Sequence, residues 1–161
     1  MRPATMKLRA LSLAMALCAP ALPALAASCS VYSSTLAFGN YDVLSPTPLD
    51  SSTDVTILCF RTQNGETVNY TLTLSIGGGT YSMRTMNNGA RTIDYNLYNS
   101  PAMTPSTIWG NGTSGTSLVS GSLPMTIVIR IATHTIYGRI PAQQDVAIGT
   151  YSGSVTLTMN Y

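Results

Sequence analysis

The chain has 161 residues, 45% of them hydrophobic and 9% charged, and its formal net charge is +2. Three basic residues lie before residue 10, and the rest of the chain carries five arginines against six acidic residues, a net charge of −1. This balance excludes the basic surface that nucleic-acid binding requires. The length suits a single domain with a hydrophobic core.

The first residues have the pattern of a secretory signal peptide. A basic start precedes an apolar run at 10–19, and Ala24-Leu25-Ala26 has the small residues of a cleavage site. Pro20 interrupts the run before it reaches the roughly 20 apolar residues of a membrane span. We therefore expect a signal peptide at 1–26 and one secreted domain at 27–161.

Two cysteines remain in the predicted mature chain, Cys29 and Cys59. An even pair in a secreted protein indicates a disulfide. The alternatives are two free thiols or half of a metal site, but the sequence offers no further ligand nearby. If the first two strands pair antiparallel with the cysteines opposite each other, Val31 lies opposite Ile57 and the disulfide extends an apolar ladder.

The composition of the mature chain, rich in Thr, Ser, Tyr, Val and Ile, predicts an all-β protein. Asn64-Gly65 and Asn88-Gly89 are favoured hairpin turns. The segments 39–52 and 99–121 are predicted to be irregular. The predicted strands lie within 29–38 and near 53–60, 68–76, 80–86, 91–98 and 125–133, with a short segment at 136–140 and a last strand within 149–161. About seven short strands with period-two patterns predict an immunoglobulin-like antiparallel β-sandwich.

The last predicted strand has the clearest alternation in the chain. Val155, Leu157, Met159 and Tyr161 share one face, and Ser and Thr residues with Asn160 occupy the other, as in a half-buried strand. No further strand follows it in the sequence. Unless another strand flanks it within the fold, its free backbone groups invite a strand from another chain.

The sequence lacks the residue patterns of an enzyme. His134 is the single histidine and is expected to be a surface or loop residue, and no Gly-x-Ser-x-Gly motif is present. Asp50 and Asp54 flank a Ser/Thr segment, which indicates solvated side chains rather than a catalytic pair. No metal-ligand spacing or phosphate-binding loop occurs. We expect no catalytic activity, no metal and no cofactor.

Several short motifs, each weak alone, occur in a specific order along the mature chain. They are Cys29 followed by Phe38-Gly39-Asn40-Tyr41, Cys59, Tyr95-Asn96-Leu97-Tyr98, Ile108-Trp109-Gly110-Asn111-Gly112, Tyr137-Gly138-Arg139-Ile140-Pro141 and Gly149-Thr150-Tyr151. With these motifs the chain resembles the spore coat protein U domain family, which includes subunits of archaic chaperone–usher pili.

The resemblance implies a non-enzymatic structural subunit of a pilus-like or coat-like surface assembly. Its sandwich lacks the last strand and accepts a donor strand, first from a periplasmic chaperone and then from another subunit. The implied partners are a chaperone, an usher and other subunits, and the implied location is the periplasm and then the cell surface. We expect the donor-strand groove and adjoining core to be formed by Val55, Ile57, Val155, Leu157, Met159 and Tyr161.

Two further expectations concern the N-terminus and an alternative function. Ala27 and Ser28 are too few to form a donor segment ahead of Cys29, so we expect the subunit to accept a strand without donating one.

The alternative function is a secreted carbohydrate-binding or adhesive module in which Trp109, with nearby tyrosines, forms a surface that stacks on sugars. Aromatic residues of this kind more often fill the ends of a sandwich core.

Overall fold

The computed structural model describes residues 27–161, and the predicted signal peptide lies outside the described residues. This part of the chain forms nine strands and a turn of 3₁₀ helix at Pro105–Thr107. The strands are β1 (Ser28–Ser33), β2 (Leu49–Phe60), β3 (Thr67–Leu74), β4 (Gly78–Gly79), β5 (Arg84–Asn88), β6 (Arg91–Tyr98), β7 (Val119–Pro124), β8 (Ile129–Ile140) and β9 (Leu157–Asn160). Within 27–161, no helix has the length and apolarity to cross a bilayer.

The strands form two antiparallel sheets around one core. The six-stranded sheet has the order β1-β2-β8-β6-β5-β4, and the three-stranded sheet has the order β7-β3-β9. Buried side chains of both sheets belong to one apolar cluster, as two layers packed face to face require. The predicted immunoglobulin-like sandwich is confirmed. The structure has nine strands rather than about seven, and one of them, β4, has only two residues, too few for the sequence pattern to reveal.

Alternation places the core residues of the central strands. In β2, Val55, Ile57 and Cys59 are fully buried, while the residues between them are partly exposed. In β3, Leu72 and Leu74 point into the same core from the opposite sheet. Burying each such side chain stabilises the fold by about 1.5–3 kcal/mol before the entropy of ordering is subtracted.

The disulfide and the register of the first two strands match the expectation. Cys29 and Cys59 are bonded and directly opposite each other, and Val31 lies opposite Ile57. The prediction of a cross-strand disulfide that extends an apolar ladder is confirmed.

The Asn64-Gly65 turn does not form the hairpin that the sequence predicts. Gly65 has the positive φ of 76° that favours glycine, but β2 and β3 belong to different sheets. The turn therefore carries the chain across the sandwich. By contrast, Gly89 lies in a true hairpin turn, where β5 and β6 pair up to Asn88 and Arg91.

The prediction of two separate strands within 125–140 was wrong, because residues 129–140 form one continuous strand. Ile129 and Ile131 face solvent in this strand, with 43% and 60% of their surface exposed. Their exposure follows from the alternation of side chains along the strand. Ile136 and Ile140 face the core, and a continuous strand directs every second side chain to the same face.

Two strand boundaries also differ from the prediction. β2 begins at Leu49, inside the segment expected to be a loop, because Asp50 and its neighbours pair with the end of β8. β7 begins at Val119, inside a segment expected to be irregular, and it pairs with β3. In both cases pairing with a strong neighbouring strand outweighs weak local propensity.

A fully buried arginine holds the end of β3 in place. Arg84 is 0% exposed, and its guanidinium lies 5.3 Å from the ring centre of Tyr81. Burial lowers the pKa of Arg84, yet a guanidinium remains protonated at neutral pH. It donates hydrogen bonds to the carbonyls of Ser75 (3.2 Å), Ile76 (3.1 Å) and Trp109 (2.7 Å) and to Oδ1 of Asn96 (2.6 Å).

Candidate functional site

Two strand edges face each other on one flank of the sandwich. β1 is the last strand of the six-stranded sheet, and β9 is the last strand of the three-stranded sheet. Neither has a second strand partner within residues 27–161. Tyr161, next to β9, reaches Cys29 in β1, so the two edges approach each other at this end. We call the space between the free edges of β1 and β9 the open cleft.

The free edge of β9 presents unpaired backbone groups at Leu157 and Met159. The amide of Ser75 donates to the carbonyl of Thr156 at 2.9 Å, which places this pair at a hydrogen-bonded position of the β3–β9 ladder. Hydrogen-bonded and non-hydrogen-bonded positions alternate along an antiparallel pair. Leu157 and Met159 therefore direct their N–H and C=O groups away from β3 and into the open cleft.

The side chains of the same β9 residues point toward the core. Val155, Leu157 and Met159 are half-buried and pack against the apolar cluster that contains the fully buried Val55 and Ile57. Tyr161 lies at the end of the row, with 58% of its surface exposed. Four of the six predicted groove residues thus keep some accessible surface, whereas Val55 and Ile57 are core. Their part in binding a donor strand stays a prediction.

The β1 edge has the same arrangement. Cys29 and Val31 are half-buried against the core. The Cα atoms of Cys29 and Cys59 are 4.1 Å apart, which fits a non-hydrogen-bonded pair rather than the wider hydrogen-bonded one. The backbone groups of Cys29 and Val31 therefore also face the open cleft. The residues named on both edges carry no charge at neutral pH, so the cleft suits an uncharged, apolar segment.

Trp109 is a core residue, as the sequence favoured, and not the surface aromatic of the alternative function. Trp109 is 0% exposed, and its indole N–H donates to the carbonyl of Leu72 at 3.1 Å. Its backbone N–H donates to the carbonyl of Leu97. The side chain fills the core between the sheets and cannot stack on a sugar. The sequence predicts an irregular segment around Trp109, and this prediction does not contain the direction in which the indole points.

His134 is also not the surface or loop residue that the sequence suggested. It lies within β8, half-buried on the face that contains Ile136, and its Nε2 is hydrogen-bonded to the Tyr70 hydroxyl at 2.8 Å. Tyr70 belongs to β3, so this hydrogen bond joins the two sheets. Burial lowers the pKa of His134 and raises the pKa of Tyr70.

The His134 environment predicts a loss of stability in acid. Because its pKa is lower in the folded chain than in the unfolded chain, the unfolded chain binds the proton more readily. The free energy of unfolding should fall as the pH drops below about 6.5, and by no more than about 1.4 kcal/mol per pH unit. Urea denaturation of the wild type and His134→Gln measures this slope. Glutamine can still accept from Tyr70 but does not titrate, so the slope of this variant should be close to zero between about pH 5 and 6.5, above the range in which carboxylates titrate. An equal slope in both proteins would contradict the prediction.

No group of three or more His, Cys, Asp or Glu side chains within residues 27–161 is arranged to hold a metal ion. Asp50 forms an ion pair with Arg139, whose Nε lies 2.7 Å from the carboxylate, and Asp54 accepts from the Thr135 hydroxyl at 2.8 Å. Both carboxylates are thus engaged on the outer face of the six-stranded sheet.

Comparison with known proteins identifies related folds. The family model of the Spore Coat Protein U domain matches residues 15–158. No curated protein sequence matches the chain. A similar solved structure is the CsuC–CsuE chaperone–tip adhesion subunit pre-assembly complex from archaic chaperone–usher Csu pili of Acinetobacter baumannii. It has 19% identity and a TM-score of 0.55 over 84% of this chain, but this chain spans only 40% of its length.

A second, more distant structure is the minor tip subunit HdaB of the Hda pilus of E. coli. Its identity is 11% and its TM-score is 0.31, over 82% of this chain and 79% of that one.

Proposed function

Because the chain belongs to the spore coat protein U domain family, we propose that it is a non-enzymatic structural subunit of a secreted cell-surface assembly, of the pilus or coat type. In this proposal the subunit accepts a donor strand in the open cleft. The observation that carries it is the edge of β9, where the same residues offer free backbone groups and half-buried apolar side chains.

Strand addition explains why both features are needed. An added strand pairs its backbone with the free N–H and C=O groups of Leu157 and Met159, which supplies binding energy without regard to sequence. Its alternate side chains enter the apolar space between the sheets and supply selectivity. An unpaired edge left exposed is instead a template for aggregation. We therefore expect the isolated subunit to be prone to aggregation, and a partner strand to suppress it.

The partners in this proposal are a periplasmic chaperone, an usher and other subunits of the assembly. The chaperone would occupy the open cleft in the periplasm, and a neighbouring subunit would then replace it. The solved Csu complex pairs a chaperone with a tip subunit, which supports a partner of this class for a chain of the same fold.

A fused strand tests the proposal directly. A flexible Gly/Ser linker and a segment of about ten residues that alternates valine with threonine would be appended after Tyr161. The linker supplies a high effective concentration, so even a weak strand should dock. We expect the free energy of unfolding to rise by about 2–4 kcal/mol and Tm by about 10 °C, because the valines become buried.

The matched control carries the same linker and the same residues with all the valines placed together. This order cannot direct alternate side chains to one face. It should leave Tm unchanged and the protein prone to aggregate. The proposal is wrong if the alternating and blocked fusions have the same stability, or if the unfused protein is a heat-resistant monomer that neither fusion alters.

A further inference from the structure

The hydroxyl of Tyr161 bridges the open cleft. It accepts a hydrogen bond from the backbone N–H of Cys29 at 3.2 Å and lies 3.4 Å from the Cys29 carbonyl, to which it can donate. One phenol oxygen thus contacts both backbone polar groups of a single residue. These two contacts join residue 161, beside β9, to the other edge of the cleft.

These Cys29 groups belong to the free edge of β1. Cys29 is in a non-hydrogen-bonded pair with Cys59, so its N–H and C=O point away from β2. They are among the groups that a strand inserted along β1 would need. Tyr161 has the same parity as Leu157 and Met159, which is why its ring turns toward the space between the sheets. The phenol occupies the place of a backbone partner.

We propose that Tyr161 is a latch that closes one end of the open cleft and competes with the incoming strand. The inference rests on the proposed strand-accepting function and adds its regulation. With the cleft empty, the latch satisfies the Cys29 backbone groups and holds the end of β9 against β1. A strand that extends to this end must first displace the phenol.

The latch is weak enough to open. More than half of the Tyr161 surface is exposed, at 58%, and both contacts are longer than a typical O–H or N–H hydrogen bond. One or two such bonds at an exposed site change an affinity by about three- to tenfold when they must be broken. The latch therefore tunes strand entry without preventing it.

The variant Tyr161→Phe removes the hydroxyl and keeps the ring, so it tests the two hydrogen bonds alone. The probe is a labelled peptide of about ten residues that alternates valine and threonine, and its dissociation constant is measured for the wild type and the variant. Tyr161→Phe should bind it about three- to tenfold more tightly. In the empty protein, NMR should show faster amide exchange at Cys29 in the variant.

Tyr32→Phe is the matched control. Tyr32 also lies at 58% exposure, but it is in β1 on the face opposite to Val31, away from the core. This variant should bind the peptide as the wild type does. Equal affinity of wild type and Tyr161→Phe overturns the latch and leaves strand acceptance standing. Absence of binding to all three proteins, with no stabilisation by the fused strand, overturns both.

Discussion

Replacing Arg84 with methionine is expected to abolish folding or to lower the free energy of unfolding by at least about 4 kcal/mol. Methionine preserves the length and volume of the buried stem but removes every donor. The carbonyl oxygens of Ser75, Ile76 and Trp109 then lose a hydrogen bond in a site that admits no water to Arg84. Each buried acceptor left unsatisfied costs about 1–3 kcal/mol.

Two further variants make the Arg84 prediction specific. Arg91→Met changes an exposed arginine at the start of β6 and should alter stability by less than about 0.5 kcal/mol. Arg84→Lys retains the charge but replaces the planar guanidinium with a point charge, so its loss of stability should lie between those of Arg84→Met and Arg91→Met. Chemical denaturation measures all three. A folded Arg84→Met protein within about 1 kcal/mol of the wild type would contradict the prediction.

Removing the disulfide is expected to cost nearly as much. The bonded cysteines are 30 residues apart in sequence. For a loop of this length the chain-entropy model gives a stabilisation of about 3.6 kcal/mol. The double variant Cys29→Ser/Cys59→Ser should lower Tm by about 10–15 °C. The β1 edge of the open cleft should loosen as well, because the disulfide ties this outermost strand to β2.

The matched measurement uses the wild type with and without a reductant strong enough to open the bridge. Reduction should reproduce the loss seen in the double variant, and the variant itself should not respond to reductant. If the reduced and oxidised proteins unfold at the same denaturant concentration, the disulfide contributes nothing to stability and the prediction is wrong.

Much of the fold follows from local sequence patterns. Alternation in 68–76 and 91–98 predicts β3 and β6 because each strand has one face on the core and one face partly exposed. Asn88-Gly89 predicts the β5–β6 hairpin because glycine adopts the positive φ that such a turn requires. The opposed cysteines set the β1–β2 register, since only directly paired residues bring two cysteine side chains together here.

The parts that sequence did not predict depend on long-range contacts. Ile129 and Ile131 are apolar and would be expected in the core. They face solvent because Ile136, an odd number of residues away in the same strand, faces the core. The environment of Arg84 needs three separate segments to converge, and no local pattern contains that information. For the candidate site, the alternation of apolar and polar residues in the last strand identified Leu157 and Met159 as residues of its apolar face. The orientation of their backbone groups required the pairing of β9 with β3.

If the proposed function is right, the arrangement of β9 has a consequence for the variety of segments that can bind there. In β9, the inward side chains and the free backbone groups both belong to every second residue. An extended segment bound there would therefore contact the core with the side chains of one face only. The residues on its other face would meet solvent and could change freely without loss of affinity. A whole repertoire of sequences, related only by spacing, would then fit the same edge.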